Sequence, residues 1–169
     1  MPRRLLAVCA LVLPLVLGPV PAAADGAAPA PAPAATWVAP LAPLEVTRPF
    51  DAPDSPYGPG HRGVDLAGPP GSVVVAAGSG VVVFAGMVAG RPVVSLAHPG
   101  GLRTTYEPVA PSVRAGMPVA RGSPIGTLLA GHAGCPVAAC LHWGARRGTG
   151  YLDPLLLLRP PRVRLLPWS

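Results

Sequence analysis

The sequence predicts an all-β domain, a small antiparallel sandwich or barrel of short strands with a brief helical turn near its end. The middle of the chain carries four short runs rich in valine and threonine, at residues 73–75, 81–84, 93–96 and 103–106. Segments rich in glycine and proline separate these runs, a pattern typical of antiparallel β-domains. No stretch of about ten residues shows the hydrophobic period of a helix.

Later segments complete the predicted domain. Residues 113–129 continue the sheet through two glycine-containing turns, and residues 141–145 form one more strand. Asp153 followed by Pro154 indicates a helix start before four leucines, because a capping side chain and a proline at the first position favour one. That helical turn is predicted to be short.

Both ends of the chain lack the composition of a folded core. A basic start, an apolar run interrupted by Pro14 and Pro19, and small residues before Asp25 predict a secretory signal peptide over residues 1–24. The apolar run is shorter than the ~20 residues that span a bilayer. We therefore expect no membrane span once the signal peptide is removed.

One predicted domain lies between the signal peptide and the end of the chain. Residues 25–36 are almost entirely alanine and proline, which predicts an extended spacer. Residues 37–158 are long enough for one domain with one core. Residues 159–169 form a surface tail rich in proline and arginine. The sequence thus predicts a monomer that is secreted or associated with the cell envelope.

The charged residues argue against nucleic acid as a partner. All 13 basic residues are arginines, and the formal net charge is +6. They are scattered along a chain with few aromatic residues, whereas nucleic-acid binding favours a basic stripe with interleaved aromatics. A basic exported domain is instead attracted to an anionic envelope.

Three residues form a candidate metal site. His61 and Asp65 are four positions apart, an even separation that places both side chains on one face of an extended segment. His142 lies on the last predicted strand. A His/Asp/His set that leaves one position open to water is typical of catalytic zinc. By spacing alone, a surface ion pair or a capped turn accounts for the first two residues as well.

The segment that contains the first two residues resembles a known family. Residues 57–66, with the sequence YGPGHRGVDL, resemble the signature opening of the lysostaphin-like (LytM-type) zinc endopeptidases. Further segments resemble the hairpins, glycine-marked turns and last strand of that family, in the family's order: 74–82, 96–101, 105–106, 114–116, 121–126 and 141–143. The resemblance implies one zinc ion per chain, bound by His61, Asp65 and His142. It also implies that the substrates are peptide cross-links of peptidoglycan.

Two departures concern the histidines that stand beside the metal in the family. Cys140 replaces the first histidine of a His-x-His strand, and Pro108 replaces a histidine that follows the hairpin tyrosine. Two other side chains are candidates for the missing catalytic acid–base role. Glu107 neighbours Pro108, and His132 lies in the loop before the last strand. The alternatives are a solvated strand residue for Glu107 and an ordinary loop histidine for His132.

The cysteines that remain after signal removal predict a disulfide. Cys135 and Cys140 are close in sequence, and export makes oxidation the default for such a pair. Two buried free thiols are one alternative. The other is a zinc-bound Cys140, which shares a strand face with His142 and would close the site.

Two functions are consistent with these residues. The first is an exported zinc metallo-endopeptidase acting on peptidoglycan peptides, with altered surroundings of the metal. The second is a catalytically inactive module that binds peptidoglycan or regulates another cell-wall hydrolase. Retention of all three implied ligands favours the enzyme, because an open zinc position serves catalysis.

Overall fold

The computed structural model describes residues 36–55 and 58–159. Within them the chain forms eleven β-strands and two short 3₁₀ turns, so the predicted all-β class is confirmed. The strands are β1 (Val46–Arg48), β2 (Gly63–Ala67), β3 (Val73–Val75), β4 (Gly80–Val88), β5 (Arg91–Ala97), β6 (Leu102–Glu107), β7 (Val109–Pro111), β8 (Pro118–Val119), β9 (Pro124–Leu128), β10 (Cys140–Arg147) and β11 (Gly150–Leu152). The predicted signal peptide, and nearly all of the predicted spacer and tail, lie outside the described residues.

Two antiparallel sheets make up the domain. The large sheet has the order β1-β2-β10-β6-β5-β4-β8, and β11 pairs with β10. The small sheet has the order β3-β9-β7. The four valine- and threonine-rich runs become β3, β4, β5 and β6, and the predicted last strand becomes β10. β10 lies between β2 and β6, at the centre of the part of the sheet that carries the candidate metal site.

Alternating burial along the central strands separates a core face from an outer face. In β10, Leu141 and Trp143 are fully buried, whereas His142 between them is partly exposed. β6 repeats the pattern, with Thr104 and Tyr106 in the core. Successive side chains of a strand point to opposite sides. The apolar residues of β10 therefore direct His142 to the outer face.

Aromatic and aliphatic side chains from both sheets form the core. Trp143 and Tyr106 are its largest fully buried side chains, and Leu66 of β2 and Ile125 of β9 pack in the same cluster. Full burial of one large apolar side chain stabilises the fold by about 1.5–3 kcal/mol. The Tyr106 hydroxyl accepts a hydrogen bond of 3.0 Å from the backbone N–H of Ala77. Burial raises the pKa of Tyr106 to about 12.

The predicted helical turn near the end of the domain is confirmed. It is a 3₁₀ turn, Pro154–Leu158. The Asp153 carboxylate accepts a hydrogen bond of 3.0 Å from the backbone N–H of Leu155, so Asp153 caps the turn as expected. Neither 3₁₀ turn of the described residues has the length and apolar character needed to cross a membrane.

Candidate metal centre

Two neighbouring strands bring the candidate metal ligands together. β2 and β10 pair antiparallel, and Asp65 lies directly opposite His142. Residues opposed in this way place their side chains on the same face of the sheet. His61 lies just before β2, where its backbone exchanges hydrogen bonds of 2.7 and 3.0 Å with Asp51. These backbone bonds fix where His61 stands relative to the two strands.

The donor atoms of the three residues converge on one point. Asp65 Oδ1 lies 3.0 Å from His61 Nε2 and 2.9 Å from His142 Nδ1. The two imidazole nitrogens are 3.0 Å apart. All three atoms lie within 4.8 Å of one another. Asp65 and His61 are buried, whereas His142 is partly exposed, so the cluster is open toward the outer face of the sheet.

The chemistry of this donor set fits a zinc ion. His61 Nδ1 lies 2.7 Å from the carbonyl oxygen of Pro49, which can only accept a hydrogen bond, so Nδ1 carries the proton of the neutral ring. Nε2 is then left with a lone pair that faces the Asp65 carboxylate. Donor atoms held this close repel unless a cation, either a proton or a metal ion, lies among them. A histidine that donates its other N–H to a carbonyl is the usual arrangement of a metal ligand, and two imidazoles with one carboxylate suit zinc.

Gly63 provides the space that the His142 ring occupies. A β-carbon at Gly63 would lie 2.8 Å from both Cε1 and Nε2 of His142, and 2.5 Å from the carbonyl oxygen of Trp143. Any side chain there would displace the imidazole or separate β2 from β10. Gly63 stands in the family signature, but its position in the sequence indicates no role. Its role follows from the close approach of the two strands, which the sequence does not show.

The surroundings of Asp65 keep its carboxylate ionised at neutral pH. Burial opposes the negative charge and by itself raises the pKa of Asp65. Hydrogen bonds from His132 and His142, with the charges of His132 and His61, act in the opposite direction and outweigh burial. The pKa of Asp65 is therefore held well below its ordinary value of 3.8. An anionic ligand is the state that a divalent cation requires.

The structure places His132 at the candidate metal centre. His132 Nε2 lies 3.2 Å from Asp65 Oδ1, and its side chain is 13% exposed. Its ring stacks on that of His142, with centroids 5.6 Å apart and an angle of 25° between the planes. His132 thus contacts two residues of the candidate metal centre. It is not one of the three residues whose donor atoms cluster within 4.8 Å, so it stands beside that cluster.

A disulfide ties down the loop that carries His132. The structure contains the predicted Cys135–Cys140 bond, with an S–S distance of 2.02 Å. The backbone N–H of Cys135 also donates to the carbonyl oxygen of His132 at 3.3 Å. Free thiols are therefore ruled out in this structure. Because its sulfur is in the disulfide, Cys140 offers no thiolate to a metal. The alternative in which Cys140 is a fourth zinc ligand is therefore ruled out as well.

Glu107 lies near the centre but is occupied by another partner. It is opposite His142 in the pairing of β6 with β10, so both side chains lie on the outer face. Its carboxylate forms an ion pair of 2.6 Å with Arg91 Nε and is 15% exposed. The described residues show no hydrogen bond between Glu107 and the three donors. Glu107 is thus not a solvated strand residue, and its carboxylate is paired with Arg91 rather than with the donors of the metal cluster.

The sequence matches one protein family over most of the described domain. The sequence profile of Peptidase family M23 matches residues 59–154. The chain belongs to peptidase family M23. The uncharacterized protein Rv2891 of Mycobacterium tuberculosis is 59% identical to it over 149 residues, or 85% of this chain and 60% of that protein. The chain thus spans about 60% of the length of this curated relative. The resemblance to lysostaphin-like endopeptidases is confirmed at the level of the family.

Solved structures share the fold. Csd3 of Helicobacter pylori aligns with a TM-score of 0.62 and 26% identity, covering 78% of this chain and 37% of that chain. The catalytic domain of the antimicrobial peptidase lysostaphin from Staphylococcus simulans aligns with a TM-score of 0.58 and 23% identity, covering 68% and 92%. Both structures show the same fold, and membership of family M23 supports a metallopeptidase-like architecture for the chain.

Proposed function

We propose that the protein is an exported zinc metallo-endopeptidase that cleaves peptidoglycan peptides. The observation that carries the proposal is the convergence of donor atoms from His61, Asp65 and His142 on one point that is open to the outer face. A site with three protein ligands leaves a coordination position for water or substrate. Membership of family M23 supports the reaction class.

The residues around the cluster supply orientation and charge. Zinc, when bound, would polarise a carbonyl and lower the pKa of a water ligand to about 7. The carbonyl oxygen of Pro49 holds His61 with Nε2 toward the centre. Asp65 contributes the negative charge, and Gly63 allows the ring of His142 to lie across β2.

His132 is proposed to take the acid–base role of the missing family histidines. It reaches the cluster from the disulfide-tied loop, whose Cys140 occupies one of the two substituted positions. Its Nδ1 is buried and has no hydrogen-bond partner in the described part of the chain. An unsatisfied buried polar atom costs about 1–3 kcal/mol, and exceptions of this kind concentrate at functional sites. A positioned imidazole contributes about 10²–10⁴-fold to a rate.

Glu107 is the weaker candidate for that role. Its carboxylate would have to leave Arg91 to accept a proton, and the guanidinium stabilises the ionised form. A carboxylate held in this way is a poor base. Glu107 is better suited to fixing Arg91 near the metal centre.

A catalytically inactive module is the second candidate function. One observation favours it: both family positions that normally carry histidines hold residues without acid–base chemistry, the disulfide-bonded Cys140 and Pro108. Such a protein would bind peptidoglycan or regulate another cell-wall hydrolase. His132 at 3.2 Å from Asp65 favours the enzyme over this alternative.

An exported location is part of the proposal. The Cys135–Cys140 disulfide is stable outside the reducing cytosol, and the basic composition suits an anionic envelope. We expect the mature chain to begin near Asp25, to be secreted or envelope-associated, and to be monomeric. N-terminal sequencing of exported material would show the start.

Zinc-dependent release of peptides from peptidoglycan tests the proposed function. The mature chain is stripped with a chelator, reloaded with one equivalent of zinc, and incubated with purified peptidoglycan. We expect new amino groups and soluble fragments by mass spectrometry, at a rate below that of relatives with both histidines. One lost transition-state donor costs about 10²–10³-fold in other enzymes.

The control is the Asp65→Asn variant, treated with the same chelator and zinc, which should release nothing above background. Protein that sediments with peptidoglycan but releases no fragments, with or without zinc, would establish the binding module and end the enzyme proposal.

A further inference from the structure

A groove with a volume of about 380 Å³ lies on the outer face of the large sheet and includes His142 in its lining. Every second cross-strand pair of β10 and β6 faces the groove and forms its floor and sides: His142 with Glu107, Gly144 with Thr105, and Arg146 with Arg103. The metal centre therefore stands at one end of these pairs, and two arginines stand at the other.

The floor between the two ends is low enough for a peptide backbone. Gly144 has no side chain, and Thr105 opposite it is small. A strand rises about 3.3 Å per residue, and Arg146 is four residues from His142. Their backbones therefore lie about 13 Å apart. An extended peptide rises about 3.3 Å per residue. A side chain two to four residues from a bond held at the metal centre would thus reach the arginines.

The groove carries a strong positive charge. Four arginines line it, Arg62, Arg91, Arg103 and Arg146, against one acidic residue, Glu107, for a formal charge of +3. Glu107 pairs with Arg91. In the described part of the chain, neither Arg103 nor Arg146 forms an ion pair. The Arg146 guanidinium donates a hydrogen bond of 3.1 Å to the carbonyl oxygen of Gly148.

We propose that this groove selects peptides with free carboxylates close to the scissile bond, bound by Arg103 and Arg146. Guanidinium groups pair with carboxylates through two parallel hydrogen bonds. Nucleic acid fits the groove poorly, because it needs aromatic platforms along a basic stripe, and the one aromatic lining residue, Tyr151, lies under Arg62. The inference rests on the proposed function for the position of the bond.

Equilibrium binding of a matched peptide pair tests the inference. The probes are a peptidoglycan stem tetrapeptide with its carboxylates free and the same peptide with them amidated. Calorimetric titration of the mature protein should give a Kd that is roughly 3- to 20-fold weaker for the amidated peptide, as expected for two half-exposed ion pairs. Mass spectrometry after each titration checks that the peptide is intact.

The double variant Arg103→Gln/Arg146→Gln should bind both peptides equally, at the affinity of the amidated form. Arg114→Gln removes an exposed arginine outside the groove and should preserve the difference between the peptides. Equal Kd values for the two peptides in the wild type would overturn the inference. So would inorganic phosphate that displaces the free peptide at equal concentration, since the groove would then be a general anion site.

The outcome is separable from that of the proposed function. The titration measures binding and needs no turnover. If the protein prefers the free peptide but never cleaves peptidoglycan, carboxylate binding by the groove is supported and the proposed enzymatic function is refuted. If the protein cleaves peptidoglycan but binds both peptides equally, the enzymatic function is supported and carboxylate binding by the groove is refuted.

Discussion

An Asp65→Asn variant is expected to lose its zinc. Asp65 Oδ1 lies within 3.2 Å of nitrogen atoms of His61, His142 and His132, so it is the atom that all three rings share. The substitution keeps the shape of the side chain but removes the only negative charge from the cluster. Substituting an outer-shell residue costs about 10- to 100-fold in metal affinity, and losing a direct anionic ligand should cost more. Metal analysis after gel filtration should fall from one zinc per chain to nearly none.

Asp54→Asn is the matched control, because Asp54 is an exposed carboxylate and is not among the three clustered donors. It should retain one zinc per chain. Circular dichroism of both variants checks that the fold is intact. If Asp65→Asn keeps one equivalent of zinc after the same procedure, the assignment of the ligands is wrong.

A His132→Ala variant is expected to lose most of the hydrolysis while keeping the zinc. The ring lies beside the cluster without being one of its three convergent donors. Removing a general acid–base group typically costs about 10²–10⁴-fold in rate. The measurements are the rate of peptide release and the zinc affinity, taken on the same preparation. A purely structural role, in which His132 only holds the Asp65 carboxylate, would instead lower zinc affinity and rate together.

Rescue by the family residues sharpens this result. The substitutions Cys140→His and Pro108→His restore the histidines of the family pattern, and Cys135→Ala removes the cysteine that would be left unpaired. Added to His132→Ala, they should recover peptide release if the scaffold still presents both positions to the metal centre. Unchanged activity in His132→Ala itself would show that the ring takes no part in the reaction.

The strand pattern could be predicted because it depends on local periodicity, whereas the ligand set was implied by the resemblance to the lysostaphin-like family. Alternation with a period of two places His142 opposite to the core residues Leu141 and Trp143, and the same period places His61 and Asp65 on one face. The disulfide was predictable from the spacing of Cys135 and Cys140 and from export.

The position of His132 could not be predicted. The loop between β9 and β10 has no hydrophobic period, and its path depends on the disulfide and on packing against the cluster. From the sequence, His132 is equally consistent with an ordinary loop histidine and with a catalytic residue. The contact with Asp65 places His132 beside the metal cluster and supports the proposed acid–base role.

The groove lined by four arginines could not be predicted from the sequence either. Arg62, Arg91, Arg103 and Arg146 are far apart along the chain, and their scatter indicated no binding surface. Antiparallel pairing brings Arg103 opposite Arg146. The available signal was the even separation of Arg146 from His142, which places both on one face of a strand, but the partner strand and its register are tertiary information.

Anomalous diffraction at the zinc edge, from crystals of the zinc-loaded mature protein, tests the central claim most directly. We predict one peak bounded by His61 Nε2, Asp65 Oδ1 and His142 Nδ1, at about 2.0–2.2 Å from each atom, with His132 beyond bonding distance. A peak elsewhere would contradict the account. So would a zinc ion that His132 closes off as a fourth protein ligand, because no position would remain for water or substrate.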